Sequence, residues 1–334
     1  MKMARKVMAK PEFHTDLIDR LPVVRGRLTE NAPIGQTTWF RVGGPAEVLF
    51  KPKDLEDLRS FLAGCPDNVP ITVIGVASNL LIRDGGIPGV VIRLGRDFSS
   101  IDLEDNNKIK AGALALDVNV AKVAAESGVG GLEFLSGIPG TIGGALRMNA
   151  GSYGSELVDV LEVADVLDRD GQMHHLTPKD MNMTYRHNDI PENMIFVGCT
   201  LKGMPEEPHI IQARMDKIKM SRAESQPIKS QTGGSTFANP SVDDPSITKK
   251  SWELIDEAGC RGMQIGGAQM SEQHCNFMIN TGTATAADLE RLGETVRERV
   301  LETSGVNLRW EIRLIGVPLP KDGDLFDKEL KGTA

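Results

Sequence analysis

Residues 136–154, S-G-I-P-G-T-I-G-G-A-L-R-M-N-A-G-S-Y-G, hold six glycines: Gly137, Gly140, Gly143, Gly144, Gly151 and Gly154. Each glycine adds backbone entropy that ordering must remove, so this density argues against a regular helix or strand. Chains place such runs where the backbone takes positive φ or closely approaches another group. Pro139 before Gly140 stiffens a turn. Successive unpaired N–H groups in such a loop form a concave anion site. Two readings stand open: a backbone cradle for a phosphorylated cofactor, and a tight structural loop between two sheets.

With 334 residues the chain is long enough for two or three domains. Its formal charge of −8 argues against a nucleic-acid partner. A small anionic ligand remains compatible, because local N–H groups and a few arginines suffice to hold one. Cys65, Cys199, Cys260 and Cys275 form no C-x-x-C pair, which argues against zinc or iron–sulfur ligation and fits a reducing compartment. The six histidines give no H-x-x-x-H or H-E-x-x-H spacing, so no catalytic metal is expected. The segment M-K-M-A-R-K-V-M-A-K-P-E lacks the continuous apolar stretch of a secretory signal, and no apolar run is long enough to span a membrane. The expectation is a soluble, cytoplasmic protein with no membrane partner.

The punctuation predicts a series of short α/β units. A lead segment over 1–30 carries one short helix near 13–21. Residues 46–50 read as a strand and 54–62 as a helix, capped by Asp54 and stopped by Gly64. Residues 71–74 read as a buried strand running into G-V-A-S-N-L-L at 75–81. Asp84-Gly85-Gly86 reads as a turn and 90–92 as a strand. A second unit starts at 109–113, followed by a helix over 117–127 capped by Asp117. Strands over 158–167 and 195–201 flank a hairpin signal at Asp170-Gly171. Residues 209–222 form an amphipathic helix with Arg214, Lys217, Lys219 and Arg222, and a domain boundary is placed there. Residues 251–259 read as helix, and 285–303 as a longer one with a capping box at Thr285 and Asp288. Residues 307–315 alternate apolar and charged, the strand pattern. The tail over 319–334 is charged and expected to be mobile.

The chain contains no G-x-G-x-x-G, no Gly-Lys dipeptide and no G-x-S-x-G. The dinucleotide fingerprint, the P-loop and the hydrolase elbow are therefore absent. What remains is a nucleotide cradle of another kind, 75–81 with 136–144. Arg186 offers a rigid fork of donors suited to a carboxylate or enolate, and equally to a surface ion pair. Ser235 follows Gly233-Gly234; as a proton donor it needs a very basic acceptor, and an ordinary turn serine is the simpler reading. Glu311 shares a strand face with Arg309 and Arg313, which would keep it ionised on a solvated face or in a cleft.

Seven motifs occur in order: F-R-V-G-G-P-A (40–46), G-V-A-S-N-L-L-I-R-D-G-G (75–86), S-G-I-P-G-T-I-G-G-A-L-R-M-N-A-G (136–151), Y-R (185–186), G-S-T-F-A-N-P (234–240), H-C-N-F-M-I-N-T-G (274–282) and L-R-W-E-I-R-L-I-G (308–316). Together, over residues 30–318, the chain resembles the UDP-N-acetylenolpyruvoylglucosamine reductase family. The resemblance implies an α+β fold: two FAD-binding subdomains of the vanillyl-alcohol-oxidase type, at 31–98 and 99–208, and a C-terminal α+β substrate domain at 209–318. It implies non-covalent FAD, since no histidine lies in 75–81 or 136–154 for attachment. It also implies NADPH as reductant, a UDP-sugar substrate and a monomer. In this family NADPH reduces FAD, and flavin N5 then gives a hydride to the β-carbon of the enol ether. By position Ser235 matches the serine that protonates the α-carbon, and Arg186 and Glu311 match the groups that stabilise the enolic intermediate. Cofactor contacts are expected at Arg41, Gly75, Val76, Ala77, Ser78, Asn79, Leu80, Pro139, Gly140, Ile142, Gly143, Gly144, Asn149 and Gly154. Substrate contacts are expected at Asn239, His274, Asn276 and Lys229.

The chain departs from the family pattern in three places. Ala77 stands where the family has glycine and is expected to take an ordinary φ. Ala238 replaces a lysine, whose role Lys229, Arg222 or Arg261 would take. Asn188 replaces the serine of Y-R-x-S. With 48 residues between Arg186 and Ser235, the chain looks like the shorter subtype, without the inserted tyrosine-bearing loop. Another FAD oxidoreductase of the same superfamily is the alternative enzyme, and a non-catalytic nucleotide-binding protein the alternative of another class.

Overall fold

The computed structural model describes Phe13 and residues 16–319. Most of the lead segment before residue 16, and the tail beyond 319, lie outside the described residues.

In the first unit, strand Ala46–Lys51 is buried nearly throughout. It lies inside a four-stranded sheet ordered Arg27–Ala32, Ala46–Lys51, Ile87–Ile92, Ile71–Val73. Helix α1 (Leu55–Gly64) covers one face, with Asp54 as its N-cap accepting from Asp57 N at 2.9 Å. Phe50 and Phe61 meet at 4.3 Å in the shared core. The expected buried strand at 71–74 is an edge strand, half-buried, with Val73 exposed. It is the last strand of its sheet and borders the cavity described below.

The second unit is a five-stranded antiparallel sheet ordered Met173–Leu176, Leu161–Leu167, Ile195–Lys202, Lys108–Gly112, Ile101–Glu104. The strand expected from 158 begins at Leu161, after a 3-10 turn over Leu157–Asp159. Two helices pack on this sheet, α2 (Asp117–Glu126) and α3 (Ile142–Met148), and α4 (Pro208–Ser225) packs outside them on α2 and the turn Glu133–Gly137. Their Ala121, Ala125, Leu146, Ile211 and Met215 share one core with Ile109, Ala164 and Cys199 of the sheet. By packing, α4 therefore belongs with this unit, and the boundary expected at 209 moves beyond it.

Two local expectations are corrected here. Asp117 does not cap α2: Leu116 is the N-cap, and Asp117 lies in the first turn with its side chain buried. The glycine stretch is not free of helix, since α3 starts inside it. Its Gly143 stands where a Cβ would lie 3.0 Å from the Ala113 Cβ, so the missing side chain lets the helix settle on its neighbour. Packing of Ile142, Ala145 and Leu146 outweighs the low helix propensity of two glycines.

The C-terminal domain has a small antiparallel sheet, ordered Gln231–Thr232, Met278–Asn280, Ala268–Met270, Gln264–Ile265, covered by α5 (Ser251–Glu257) and α6 (Ala286–Ser304). Thr285 and Asp288 form the expected capping box, and Gly305 ends α6 at φ 74°. Residues 307–315 keep the expected alternation, with Leu308 and Ile312 buried. They do not form one long strand: a single bridge joins Trp310 to Phe237, and only Arg313–Ile315 pairs further, in parallel with Leu80–Ile82. The segment crosses from the C-terminal domain to the first unit, so no one neighbour runs along its length. The same junction is tied by Asp84, which accepts from Ala286 N and Ala287 N at the start of α6. Arg83 adds an ion pair with buried Glu290 at 2.6 Å.

Candidate active site

The two glycine-bearing segments meet across a cavity of about 570 Å3, within the range of small-molecule sites. One wall is residues 75–80; the opposite wall is 136–141 with Gly143 and Gly144. Among the described residues, no backbone N–H from 75 to 79 donates to a protein acceptor. Five successive unpaired donors lining a cavity form a concave site for an anion. On the opposite wall a Cβ on Gly140 would stand 2.8 Å from an Asp117 carboxylate oxygen, so that glycine is there for close approach. This arrangement fits the diphosphate of FAD, and of the two readings of the glycine stretch it favours the cradle.

Ala77 has φ 54°, contrary to the ordinary φ expected of it. The loop keeps the left-handed geometry that a glycine would take without strain, and the alanine methyl bears the cost.

Arg186, Glu311 and Ser235, far apart in sequence, line the same cavity. Arg186 itself takes φ 55°. Its Nε donates to Glu311 Oε1 at 3.2 Å, and its terminal nitrogens donate to Gly151 O at 2.8 Å and Asn149 O at 3.4 Å. The guanidinium stacks on Tyr185, 4.7 Å from the ring centroid. Glu311 is held by its backbone on both sides: its N–H donates to Thr236 O at 2.9 Å, and its carbonyl accepts from Asn79 Nδ2 at 3.0 Å. Burial lifts its carboxyl above the ordinary value, against the pull of Arg186. Arg309 also pulls it down, as expected, but burial outweighs both arginines, and Arg313 has no part in it. Arg309 pairs with Asp243 and Arg313 with Glu192, so neither forms an ion pair with Glu311.

Ser235 is half-buried, and its hydroxyl has no hydrogen-bond partner among the described residues. The turn that carries it is pinned from behind. Asn276 accepts from Phe237 N at 3.0 Å, donates to Phe237 O at 2.9 Å, and takes Thr236 N on its carbonyl at 2.8 Å.

The cavity thus gathers Gly75, Val76, Ala77, Ser78, Asn79, Leu80, Pro139, Gly140, Gly143 and Gly144. The other expected contacts lie outside its lining. Arg41 is exposed at φ 55°, Ile142 is in the core, and Gly154 forms a hairpin turn with Tyr153, both at positive φ. Asn149 is buried at φ 40°; it ends α3 and presents its carbonyl to Arg186. Asn239 accepts from Ser251 N at the start of α5, and His274 packs on Phe277 at 4.9 Å with burial lowering its imidazole's pKa. Lys229 is exposed, beside Ile228 at the cavity rim. Asn188, at the departure from Y-R-x-S, donates to the carbonyls of Leu146 and Arg147 and fastens α3 to the Arg186 loop.

Sequence reasoning assigned no site role to Asp117, Arg147 or Lys219, all of which line the cavity. Lys219 was visible only as a charge on a helix, and Arg222 as one of three candidates for the role of the missing lysine; α4 turns both into the cavity, while Arg214 pairs with Glu133 and Glu206. Arg147 donates to the Ile190 and Met194 carbonyls, and burial lowers it to about 10, so it stays charged at neutral pH. No pattern in the sequence marked it.

Comparison with known proteins is consistent over most of the chain. Residues 46–177 match the family model described as an FAD binding domain. Residues 226–315 match that described as the UDP-N-acetylenolpyruvoylglucosamine reductase, C-terminal domain. α4 falls between the two. The reductase of that name from Rhodospirillum rubrum is 59% identical over 91% of this chain and 95% of its own length. That of Parvibaculum lavamentivorans is 56% identical over 95% of this chain and 100% of its own. Among solved structures, UDP-N-acetylenolpyruvylglucosamine reductase from Thermus caldophilus superposes with a TM-score of 0.74 at 33% identity, over 88% of this chain and 100% of its own.

Proposed function

The chain belongs to the UDP-N-acetylenolpyruvoylglucosamine reductase family, and we propose that Arg186, Ser235 and Glu311 are the residues with which it carries out that reaction. It is an FAD-dependent oxidoreductase that reduces the enolpyruvyl group of UDP-N-acetylenolpyruvoylglucosamine, giving UDP-N-acetylmuramate for peptidoglycan precursor synthesis, with NADPH as reductant. The observation that carries the residue assignment is the Arg186–Glu311 pair, 125 positions apart in sequence, meeting in the cavity that also holds Ser235 and the glycine cradle.

The unpaired N–H groups from 75 to 79 would hold the FAD diphosphate, with Gly140 and Gly144 giving close backbone approach. When bound, FAD supplies the hydride that reaches the β-carbon of the enol ether. The remaining chemistry belongs to the chain. Arg186, fixed by two carbonyls and Glu311, places its charge where the substrate carboxylate gains electron density, a preorganised electrostatic contribution. Glu311, with its carboxyl lifted by burial, can carry a proton and donate to the developing enolic oxygen. Ser235 Oγ gives its proton to the α-carbon, which is basic enough once the hydride has added, and the alkoxide recovers a proton from water. Lys219 and Arg222 supply positive charge for the UDP diphosphate from α4, in place of the lysine missing at Ala238. We further propose that the enzyme is a cytoplasmic monomer with no nucleic-acid or membrane partner; among the described residues no helix is long and apolar enough to cross a membrane.

Two measurements test this. NADPH oxidation should accelerate when UDP-N-acetylenolpyruvoylglucosamine is added; no gain over the oxygen-dependent background defeats the assignment. In single-turnover experiments Ser235→Ala should reduce its flavin with NADPH at a near-normal rate and form product at least about a hundredfold more slowly. Equal loss in both half-reactions would contradict the role given to Ser235.

A further inference from the structure

Asp117 is the strangest side chain in the molecule. It is fully buried, and among the described residues neither carboxyl oxygen has a hydrogen-bond partner. Among the described residues the only other buried side-chain oxygen in that condition is the Thr236 hydroxyl, which does not line the cavity. Asp117 does line it, at the seam between the two cradle walls. Its N–H donates to Gly140 O at 3.2 Å. The point where a Cβ on Gly140 would stand lies 2.8 Å from Asp117 Oδ2 and 3.9 Å from Ser78 Oγ.

An ionised carboxylate at such a place is costly. No lysine or arginine pairs with Asp117 among the described residues. Desolvation without a partner disfavours a charge by several kcal/mol, about 2 to 7 even for a neutral polar group. A diphosphate in the adjacent cradle would add like-charge repulsion. A buried polar group without partners is resolved by a ligand that supplies them.

We propose that Asp117 is a cofactor-binding residue that enters the site as a neutral acid and donates its O–H to a diphosphate oxygen of FAD. Burial alone raises its carboxyl well above the ordinary value, with no opposing charge to bring it down. The side chain is a donor on the seam that is neither backbone nor cation, alongside the hydroxyls of Ser78 and Thr141. It offers a hydrogen bond to the anion without the second positive charge that a lysine would bury. Gly140 is glycine because this carboxyl occupies the space of its side chain.

The inference rests on this cavity being the FAD site. The test uses the apoprotein, titrated with FAD and followed by flavin fluorescence, with ADP as a competing ligand. Asp117→Asn keeps a neutral donor of the same shape and should bind FAD within about threefold of the wild type. Asp117→Ala leaves the diphosphate without its donor and should bind about tenfold more weakly, the effect of one hydrogen bond; the same loss should appear for ADP. Infrared spectra of the wild type should show the carbonyl stretch of a protonated carboxyl that disappears in Asp117→Asn. Thermal unfolding of each variant separates loss of binding from loss of fold. Wild-type affinity in Asp117→Ala would overturn the proposal. So would Asp117→Asn binding as poorly as Asp117→Ala, an ADP affinity insensitive to the substitution, or absence of the carboxyl band. If Asp117→Ala does not fold, the Asn variant and the infrared band still decide. A wild-type apoprotein that takes up no FAD would instead defeat the reading of the cavity itself.

Discussion

At the scale of single residues, the site stores its function in unusual environments. Glu311 is buried beside Arg186, and its carboxyl is raised, so it holds a proton to higher pH than a free glutamate does. If that proton is used in the reaction, product formation falls as pH rises through the raised value. Glu311→Gln, neutral at every pH, should lose that descending limb while its maximal rate drops; a pH–rate profile with the limb intact would reassign it to another group. Ala77 carries left-handed strain next to the cradle. Ala77→Gly relieves it, and chemical denaturation should show a gain of up to about 1 kcal/mol after the added unfolded-state entropy is counted; a loss would mean the methyl contributes packing that exceeds the strain. Motifs singled out Ser235, Arg186 and Glu311, the residues proposed above for the reaction. The environments of Asp117 and Glu311 were not, because burial is contributed by segments distant in the chain.

At the scale of elements, helix ends were the most legible features. Asp54 before α1, and Thr285 with Asp288 before α6, act through bonds three residues away, so local sequence contains both partners. α6 also has a cap that no local pattern could reveal, since Asp84 lies about two hundred positions upstream. Asp84→Ala should destabilise the protein by about 2 kcal/mol, the upper end for a lost cap, and increase hydrogen exchange at the start of α6. Unchanged exchange there would show that the capping box alone holds the helix end. Residues 307–315 show the opposite limit. Their alternation was read correctly as one face in and one face out, yet pairing depends on which neighbours lie alongside, and the neighbour changes from Phe237 to Leu80–Ile82 within a few residues.

At the scale of the whole molecule, the cavity exists only because three parts close on it. The first unit supplies 75–80, the second supplies 136–144 and Arg186, and the C-terminal domain supplies Ser235 and Glu311. The parallel pairing of Leu80–Ile82 with Arg313–Ile315 and the Arg83–Glu290 ion pair couple the cofactor loop to the domain that carries Ser235. FAD at a hundredfold excess over its Kd should therefore stabilise the folded chain by about 2.7 kcal/mol. In a Trp39→Phe variant, whose remaining Trp252 and Trp310 lie in the C-terminal domain, the thermal transition should move by a few degrees, together by far-ultraviolet ellipticity and by tryptophan fluorescence. A shift in ellipticity alone would show that the domain unfolds independently.

The local chemistry of the chain determined the helix ends, the turns, the two glycine-bearing segments and the order of the motifs, since each depends on residues within a few positions of one another. Three facts were decided only by tertiary structure. Arg186 reaches Glu311, Arg313 turns from Glu311 to Glu192, and Asp117 is sealed against the cradle instead of capping its helix. Each depends on which distant segments exclude water around a charge. That is a property of packing across the fold, and the sign of a carboxyl's shift follows from it.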